Sequence, residues 1–338
     1  MLISIAIPAF NRAKEICELL DSIERQNRPN TEIIICEDCS PEQDLIEKSV
    51  LKYKRHFPNL KFFKNKKNLG YDANLRNVIA KSSGEYVLLC GNDDIFPDNA
   101  LSIVEAKLNK YSPVVLLRSY KSFYKEWEEK TKLSVHRYVK KDTLVDVDEK
   151  ELAWLFYRSV LVSGLVINRE LANKYASEEV DGMLYYQSFI ISQVAKHGKV
   201  LYVPDFIIYN RLLDFGDFGT SDNEKEGMTP GERTIESSVY QMTAFFNCAK
   251  VAQQKRELNF VTHLKKIASA YSFPLLGYHR DKGLTEFLRY CLLLRKIGYQ
   301  GPYFYFYQLL LILFQLKFSF KLITFLKLLF GQTIRLIR

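Results

Sequence analysis

An α/β fold, with a mostly parallel sheet flanked by helices and a helical C-terminal region, follows from three observations on this 338-residue chain. Apolar runs of strand length alternate with stretches whose apolar residues recur at helical spacing, the pattern of a sheet covered on both faces. Polar residues with chemistry to offer stand directly after those runs, where such a sheet gathers ligands beyond the carboxyl ends of its strands. From residue 233 onward the periodicity is helical.

The elements follow in order. Residues 2–8 (LISIAIP) and 32–36 (EIIIC) predict buried strands, and between them Ile16, Leu19, Leu20 and Ile23 fall on one helical face. A second helix is expected at about 43–56, then a strand at LKFFKN, a third helix at about 72–82 and a strand at EYVLLC. Between about 95 and 175 the pattern is less regular, and YKEWEEKTK predicts a solvated hairpin or helix with no chemistry. Residues 184–196 predict a helix ending at His197-Gly198, and KVLYVPDFIIYNR a final strand pair or a strand and loop. The stretch 216–232, rich in Gly, Asp, Ser and Thr, predicts a long mobile loop able to act as a lid. Two or three helices are expected over 233–298, and residues 299–338 form a separate segment.

With 47% hydrophobic and 14% aromatic residues, the chain can bury at least one large core. The opening MLISIAIPAFNR has an apolar run only as long as a strand, with no basic leader or cleavage site, so a cytoplasmic catalytic part is expected. Cys17, Cys36, Cys39, Cys90, Cys248 and Cys291 are scattered, which suits reduced core residues better than a disulfide framework. Cys36 and Cys39 lack the second ligand pair that zinc needs. Of the net charge of +9, five positive charges sit in 299–338 without an acid, and no basic stripe interleaved with aromatics appears in the N-terminal half. Nucleic acid is therefore not the expected partner.

Four strand ends supply polar residues to one rim: Pro8–Asn11, Glu37–Ser40, Asn65–Asn74 and Gly91–Asp94. Gly70 suits a tight turn, and Asn68 and Asn74 can bond backbone or sugar hydroxyls, or serve only as turn and cap residues. Arg76 can pair with a phosphate through its fork, or lie on a helix surface. Asp93 and Asp94 repel each other, so a basic partner, solvent or a cation must offset them. Helix caps explain these acids less well, because Ser40 and Asp98 stand closer to the helices concerned.

In order and spacing, SIAIPAFNR, EIIICEDCS, NKKNLGYDANLRN and GEYVLLCGNDD resemble the family 2 glycosyltransferases of the GT-A (nucleotide-diphospho-sugar transferase) fold, over roughly residues 1–215. Within that family they are most similar to bacterial transferases that build O-antigen, capsule or other surface polysaccharide. The resemblance implies that Pro8, Phe10, Asn11 and Arg12 line the nucleotide, and that Asp38 accepts a hydrogen bond from its base. It implies Asp94 as metal ligand and Asp93 as ribose or metal contact, with Mn2+ or Mg2+ neutralising the leaving diphosphate. Glu37 stands where the family usually has aspartate, and Gly91 where it often has another.

An inverting transfer needs a base for the acceptor hydroxyl, which the family commonly takes from a Glu-Asp pair about a dozen residues before a glycine. Counting back from Gly198 finds Tyr186 and Gln187, neither of them a ready base. Asp181, the nearest acid and next to Gly182, is the expected base, with Gln187 contacting acceptor or donor sugar; solvated loop acids are the alternative.

The apolar run 303–316 makes about 21 Å of helix, short of the roughly 30 Å hydrocarbon core. Continued as a helix, it sets Lys317, Lys321, Lys327, Arg335 and Arg338 on one arc opposite Phe318, Phe320, Ile323 and further apolar residues. That predicts an interfacial helix on an anionic membrane surface, with a core helix or dimer seam as the alternative. The expectation is a metal-dependent transferase moving sugar from a nucleotide-diphosphate donor to a glycan or lipid-linked acceptor. The alternative is a GT-A-like binding module without turnover. A nucleotidyltransferase would show a Gly-rich phosphate loop, which PAFNRAKE is not.

Overall fold

The computed structural model describes residues 1–28, 31–213, 218–224, 227–256, 259–314 and 316–330. The first half alternates as expected: β1 (Ile3–Ala9), α1 (Glu15–Glu24), β2 (Glu32–Glu37), α2 (Gln43–Leu51), β3 (Leu60–Lys64), α3 (Tyr71–Lys81), β4 (Tyr86–Leu89) and α4 (Ala100–Tyr111). These four strands pair in parallel in the order β3-β2-β1-β4. The second half is irregular in sequence because the sheet changes direction there. It comprises β5 (Val115–Tyr124), β6 (Lys132–His136), β7 (Thr143–Val145), α5 (Glu149–Arg158), β8 (Leu165–Asn168), α6 (Arg169–Lys174), α7 (Tyr186–Val194) and β9 (Val200–Leu212).

Strand β8 inserts antiparallel between β4 and β5, and β9 lies parallel to β5, so the order runs β3-β2-β1-β4-β8-β5-β9-β7 with β6 on β5. The YKEWEEKTK stretch is a hairpin between β5 and β6, closed by a short 3-10 turn at Glu129–Thr131. The expected strand pair before residue 212 is one 13-residue strand, β9.

Alternation along the central strands fills both faces. Ala6, Val87 and Leu89 point into a core shared with α3, α5 and α7, while Ile5, Ile7 and Leu88 point into one under α1, α2 and α4. Each such buried aliphatic side chain contributes about 1.5–3 kcal/mol relative to exposure. Asp148 caps α5, accepting from Glu151 N at 2.7 Å, and Asn168 caps α6, accepting from Leu171 N at 3.0 Å. Ser40 and Asp98 do not cap as expected. The residues before α2 and α4 are Glu42 and Asn99, and neither helix has a capping side-chain hydrogen bond.

Beyond the sheet come α8 (Ile235–Arg256), α9 (Val261–Ala270), the short α10 (Phe273–Gly277) and α11 (Leu284–Ile297). They extend the core on the α7 side, where Phe245 meets the Tyr185 ring at 5.0 Å and the Phe156 ring at 5.3 Å. The C-terminal run is not one continuous helix: α12 (Pro302–Leu313) ends at Phe314, whose backbone is extended, and α13 (Leu316–Phe330) starts anew. Lys317 and Lys321 are exposed, whereas Lys327, Arg335 and Arg338 lie outside the side chains described. Among the described residues no helix is long and apolar enough to cross a membrane. All six cysteines are free; Cys36, Cys90, Cys248 and Cys291 are buried as expected, while Cys39 is exposed and Cys17 half-buried.

Candidate active site

The carboxyl ends of β1, β2, β4 and β9 open onto one cleft of about 410 Å³. Register explains the convergence. Asp38 N donates to Ala9 O at 2.9 Å, and Cys90 N to Ala6 O at 3.0 Å, so the turns after three neighbouring strands leave the sheet side by side. Pro8, Phe10, Arg12, Asp38, Asn68, Asn74, Asp93, Asp94 and Gln187 all line this cleft. Asn11 belongs to the same turn: it and Arg12 have φ of 53° and 68°, a left-handed pair unusual outside glycine, and Asn92 Nδ2 donates to Asn11 O at 2.9 Å.

Asp38 is buried and grips the turn that follows β3. Its Oδ1 accepts from Leu69 N at 2.9 Å and Asn65 Nδ2 at 2.7 Å, and its Oδ2 from Gly70 N at 2.9 Å. Burial pushes its carboxyl above the usual range, and these three donors oppose the shift. Asn74 is fixed as well, donating to Cys36 O at 2.9 Å and accepting from Asn65 at 3.0 Å. Asn68 accepts from Gly70 N at 3.0 Å and donates to Thr220 Oγ1 at 3.2 Å. Glu37, buried, folds the turn after β2 and accepts from Cys39 N and Ser40 N, both at 3.0 Å.

The adjacent acids are offset differently. Asp93 pairs with the Arg12 guanidinium. Asp94 accepts through Oδ1 from Asn210 Nδ2 at 3.0 Å and Arg211 N at 2.8 Å, both at the end of β9. Burial first and the Asp93 charge second push the Asp94 carboxyl up to about 7. Burial also raises Asp93, against the pull of Arg12.

Gly91 leaves room between the two acids. A Cβ there would lie 3.2 Å from Asp93 Oδ1, 3.2 Å from Ser163 Oγ and 3.5 Å from Asp94 Oδ2. Three hard oxygens thus face one small space, a donor set that fits a divalent cation. No cluster of three His, Cys, Asp or Glu able to hold a metal occurs among the described residues, so the side chains here would fill only part of a cation's coordination shell.

Two further residues shape this end and were not singled out from the sequence. Arg118, wholly buried, donates to Ser163 O and Leu161 O, each at 2.7 Å, and so positions Ser163, whose hydroxyl accepts from Gly91 N at 2.8 Å and bonds Asp94. Arg211 pairs with Glu18, and its guanidinium lies 4.5 Å from the Trp127 ring centre. A lone charge inside the apolar run VVLLRSY marked the first, and the strand end YNR marked the second.

Asp181 is placed elsewhere. Its carboxylate pairs with Arg76 and lines a neighbouring groove of about 960 Å³ behind α3, not the cleft, so its expected role as base does not fit its position. Arg76 lies in that same groove, also bonded to Ser177 O at 3.3 Å, and is not a phosphate ligand of the cleft. Gln187 does line the cleft; it donates to Val160 O at 2.7 Å and accepts from Tyr71 Oη at 3.1 Å. Asp72, buried beneath, accepts from Leu184 N at 2.7 Å and Tyr186 N at 2.8 Å and so sets the start of α7.

Residues 4–161 match the sequence model described as "Glycosyl transferase family 2". Over that stretch, just under half of the chain, the sequence is similar to glycosyltransferase family 2. Abequosyltransferase RfbV of Salmonella typhimurium is 31% identical over 118 residues, 34% of this chain and 35% of that protein. Poly(ribitol-phosphate) beta-N-acetylglucosaminyltransferase TarS of Staphylococcus aureus is 35% identical over 120 residues, 35% of this chain and 20% of that protein. The match therefore spans about a third or less of these relatives' lengths. In three dimensions, the crystal structure of S. aureus TarS 1–349 in complex with UDP-GlcNAc aligns over 88% of this chain and 80% of that one, with TM-score 0.61 at 17% identity. The mannosyltransferase PcManGT of Pyrobaculum calidifontis, in complex with GDP-Man and Mn2+, aligns over 91% and 84%, with TM-score 0.51 at 14% identity. The fold is GT-A, and the expected sheet with its helical C-terminal region is present.

Proposed function

We propose that this chain is a family 2 glycosyltransferase that moves a sugar from a nucleotide-diphosphate donor to a glycan or lipid-linked acceptor of surface polysaccharide, with inversion and with a divalent cation. The observation that carries the reading is the three-oxygen space over Gly91, between Asp93 and Asp94, at the end of β4. Asp94 and Asp93 would hold Mn2+ or Mg2+, which when bound supplies positive charge to the leaving diphosphate. Arg12 faces the same end and offers its guanidinium to a phosphate. A carboxylate has about four lone-pair sites, and Asp38 uses three on the turn, which leaves one for a donor N–H of the nucleotide base. Pro8, Phe10 and Asn11 would flank the base and ribose. Complexes of structural relatives with UDP-GlcNAc and with GDP-Man and Mn2+ support a sugar nucleotide as donor.

The decisive assay is thermal shift with a panel of nucleoside diphosphates and Mn2+. Stabilisation is expected only with metal present and is lost in Asp94→Ala; stabilisation without metal contradicts the metal role.

Membrane-surface docking is supported by the last two helices. Tyr305, Phe306, Leu309, Leu313, Phe318 and Phe320 are exposed beside exposed Lys317 and Lys321. The chain is expected to sediment with vesicles rich in an anionic phospholipid, and Phe306→Asp with Phe318→Asp to abolish this; equal sedimentation of the variant refutes docking. A homodimer through the same face is the competing use. The second reading, a binding module without turnover, draws on the amide of Gln187 at the place where the family commonly carries an acid.

A further inference from the structure

Four carboxylates line the cleft, and three of them have places on the donor side. Asp38 holds the turn after β3, while Asp93 and Asp94 meet over Gly91. The fourth, Glu224, comes from the segment 218–224 and reaches the start of α3, where it holds the main-chain amide next to the one that Asp38 holds. It is buried, and each oxygen accepts from one main-chain amide: Oε1 from Tyr71 N at 2.8 Å, Oε2 from Gly219 N at 3.0 Å. Each oxygen therefore keeps a lone pair for another donor.

Tyr71 ties this acid to Gln187. Its main-chain N–H holds Glu224, and its phenol donates to Gln187 Oε1 at 3.1 Å. The segment is seated by several contacts: Phe218 stands edge-on to Tyr71 with ring centres 5.6 Å apart, and Thr220 accepts from Asn68. Gly70 permits the approach. Its φ is 86°, and a Cβ there would lie 2.7 Å from Ser221 Oγ and 3.0 Å from Glu224 Oε1. The chain thus brings a carboxylate into the cleft that holds Gln187, whose amide cannot accept a proton, with Tyr71 bonded to both.

We infer that Glu224 is the base of the transfer, supplied by the loop instead of by α7; the inference rests on the reading of the cleft as a glycosyltransferase site. The acceptor O–H gives its proton to a Glu224 oxygen as the hydroxyl oxygen forms a bond to the anomeric carbon. The anomeric C–O bond to the diphosphate breaks, and its electron pair stays on the diphosphate. Glu224, now neutral, returns the proton to water after product leaves.

The test measures release of nucleoside diphosphate from a panel of UDP-, GDP-, dTDP- and CDP-linked sugars with Mn2+, first with the unaltered chain. No release from any donor sinks the transferase reading itself. Given release, Glu224→Gln is expected to lower kcat by about 10²–10⁴-fold, with affinity for the same nucleoside diphosphate within about threefold. Formate is expected to restore part of the rate to Glu224→Ala, which a purely structural role would not allow. Retained kcat in Glu224→Gln overturns the inference, and so does a Glu224→Ala variant that binds nucleotide normally yet gains nothing from formate.

Discussion

The proposed donor wall of the cleft rises from strand ends, whereas the rest of its lining is assembled from a helix start, a loop segment and one amide side chain. On the first, Pro8 near the end of β1 and Asp38 and Asp94 just past β2 and β4 have their relative positions fixed by the ladder hydrogen bonds. On the second, Tyr71, Gln187 and Glu224 come from three places far apart in sequence and meet through single hydrogen bonds. A parallel sheet can therefore specify the proposed nucleotide contacts by register, while the rest of the cleft, including the proposed base, depends on how loops settle on the sheet.

The comparison can be broken in each part. On the donor wall, Arg12→Ala leaves Asp93 without its guanidinium partner and removes a charge facing the diphosphate end. Nucleoside diphosphate affinity should fall about tenfold to a hundredfold, the loss expected for one charge-assisted hydrogen bond. Calorimetric titration measures it, and unchanged affinity would remove Arg12 from the donor wall.

Away from the strand ends, a smaller effect tests the support beneath Gln187 at the start of α7. Burial pushes the Asp72 carboxyl up to about 7, against the Tyr186 and Leu184 amides that lower it. A carboxyl raised on folding stabilises the fold most below its unfolded pKa, and that contribution fades as pH rises from about 4 through about 7. Asp72→Asn removes this term, so the variant's stability relative to the unaltered chain should climb over that window. Urea melts at pH 5 and pH 8 give the comparison; a difference that does not change with pH would show that Asp72 stays ionised throughout.

Legibility in the sequence followed the same division. The strands β1 to β4 and their helices were readable because their periods are regular and each strand end carries polar residues. Asp38, Asp93 and Asp94 could be named because strand ends of a parallel sheet must converge. The reversal at β8 was not readable, since a four-residue apolar run carries no sign of its direction. Asp181 was misplaced for a related reason: nearness in sequence to the start of α7 does not say on which side of α3 a loop acid falls, and Arg76 draws it into the outer groove. Glu224 lay inside a stretch read only as loop, and its position depends on Gly70 and Tyr71, about 150 residues earlier. Ser40 does not cap because α2 starts only at Gln43, with Glu42 before it, and Gln43 N donates to the Ser40 main-chain oxygen at 3.1 Å.

The most direct measurement compares Asp94→Ala and Glu224→Gln in one assay that reads both nucleotide binding and nucleotide release. The account predicts a split: Asp94→Ala loses metal-dependent binding and turnover together, while Glu224→Gln binds donor nucleotide with metal as the unaltered chain does and loses only turnover. Two variants that lose binding in parallel, or a Glu224→Gln enzyme that still turns over, would contradict the division of labour between metal-bearing acids at the strand ends and a proton-accepting acid from the loop.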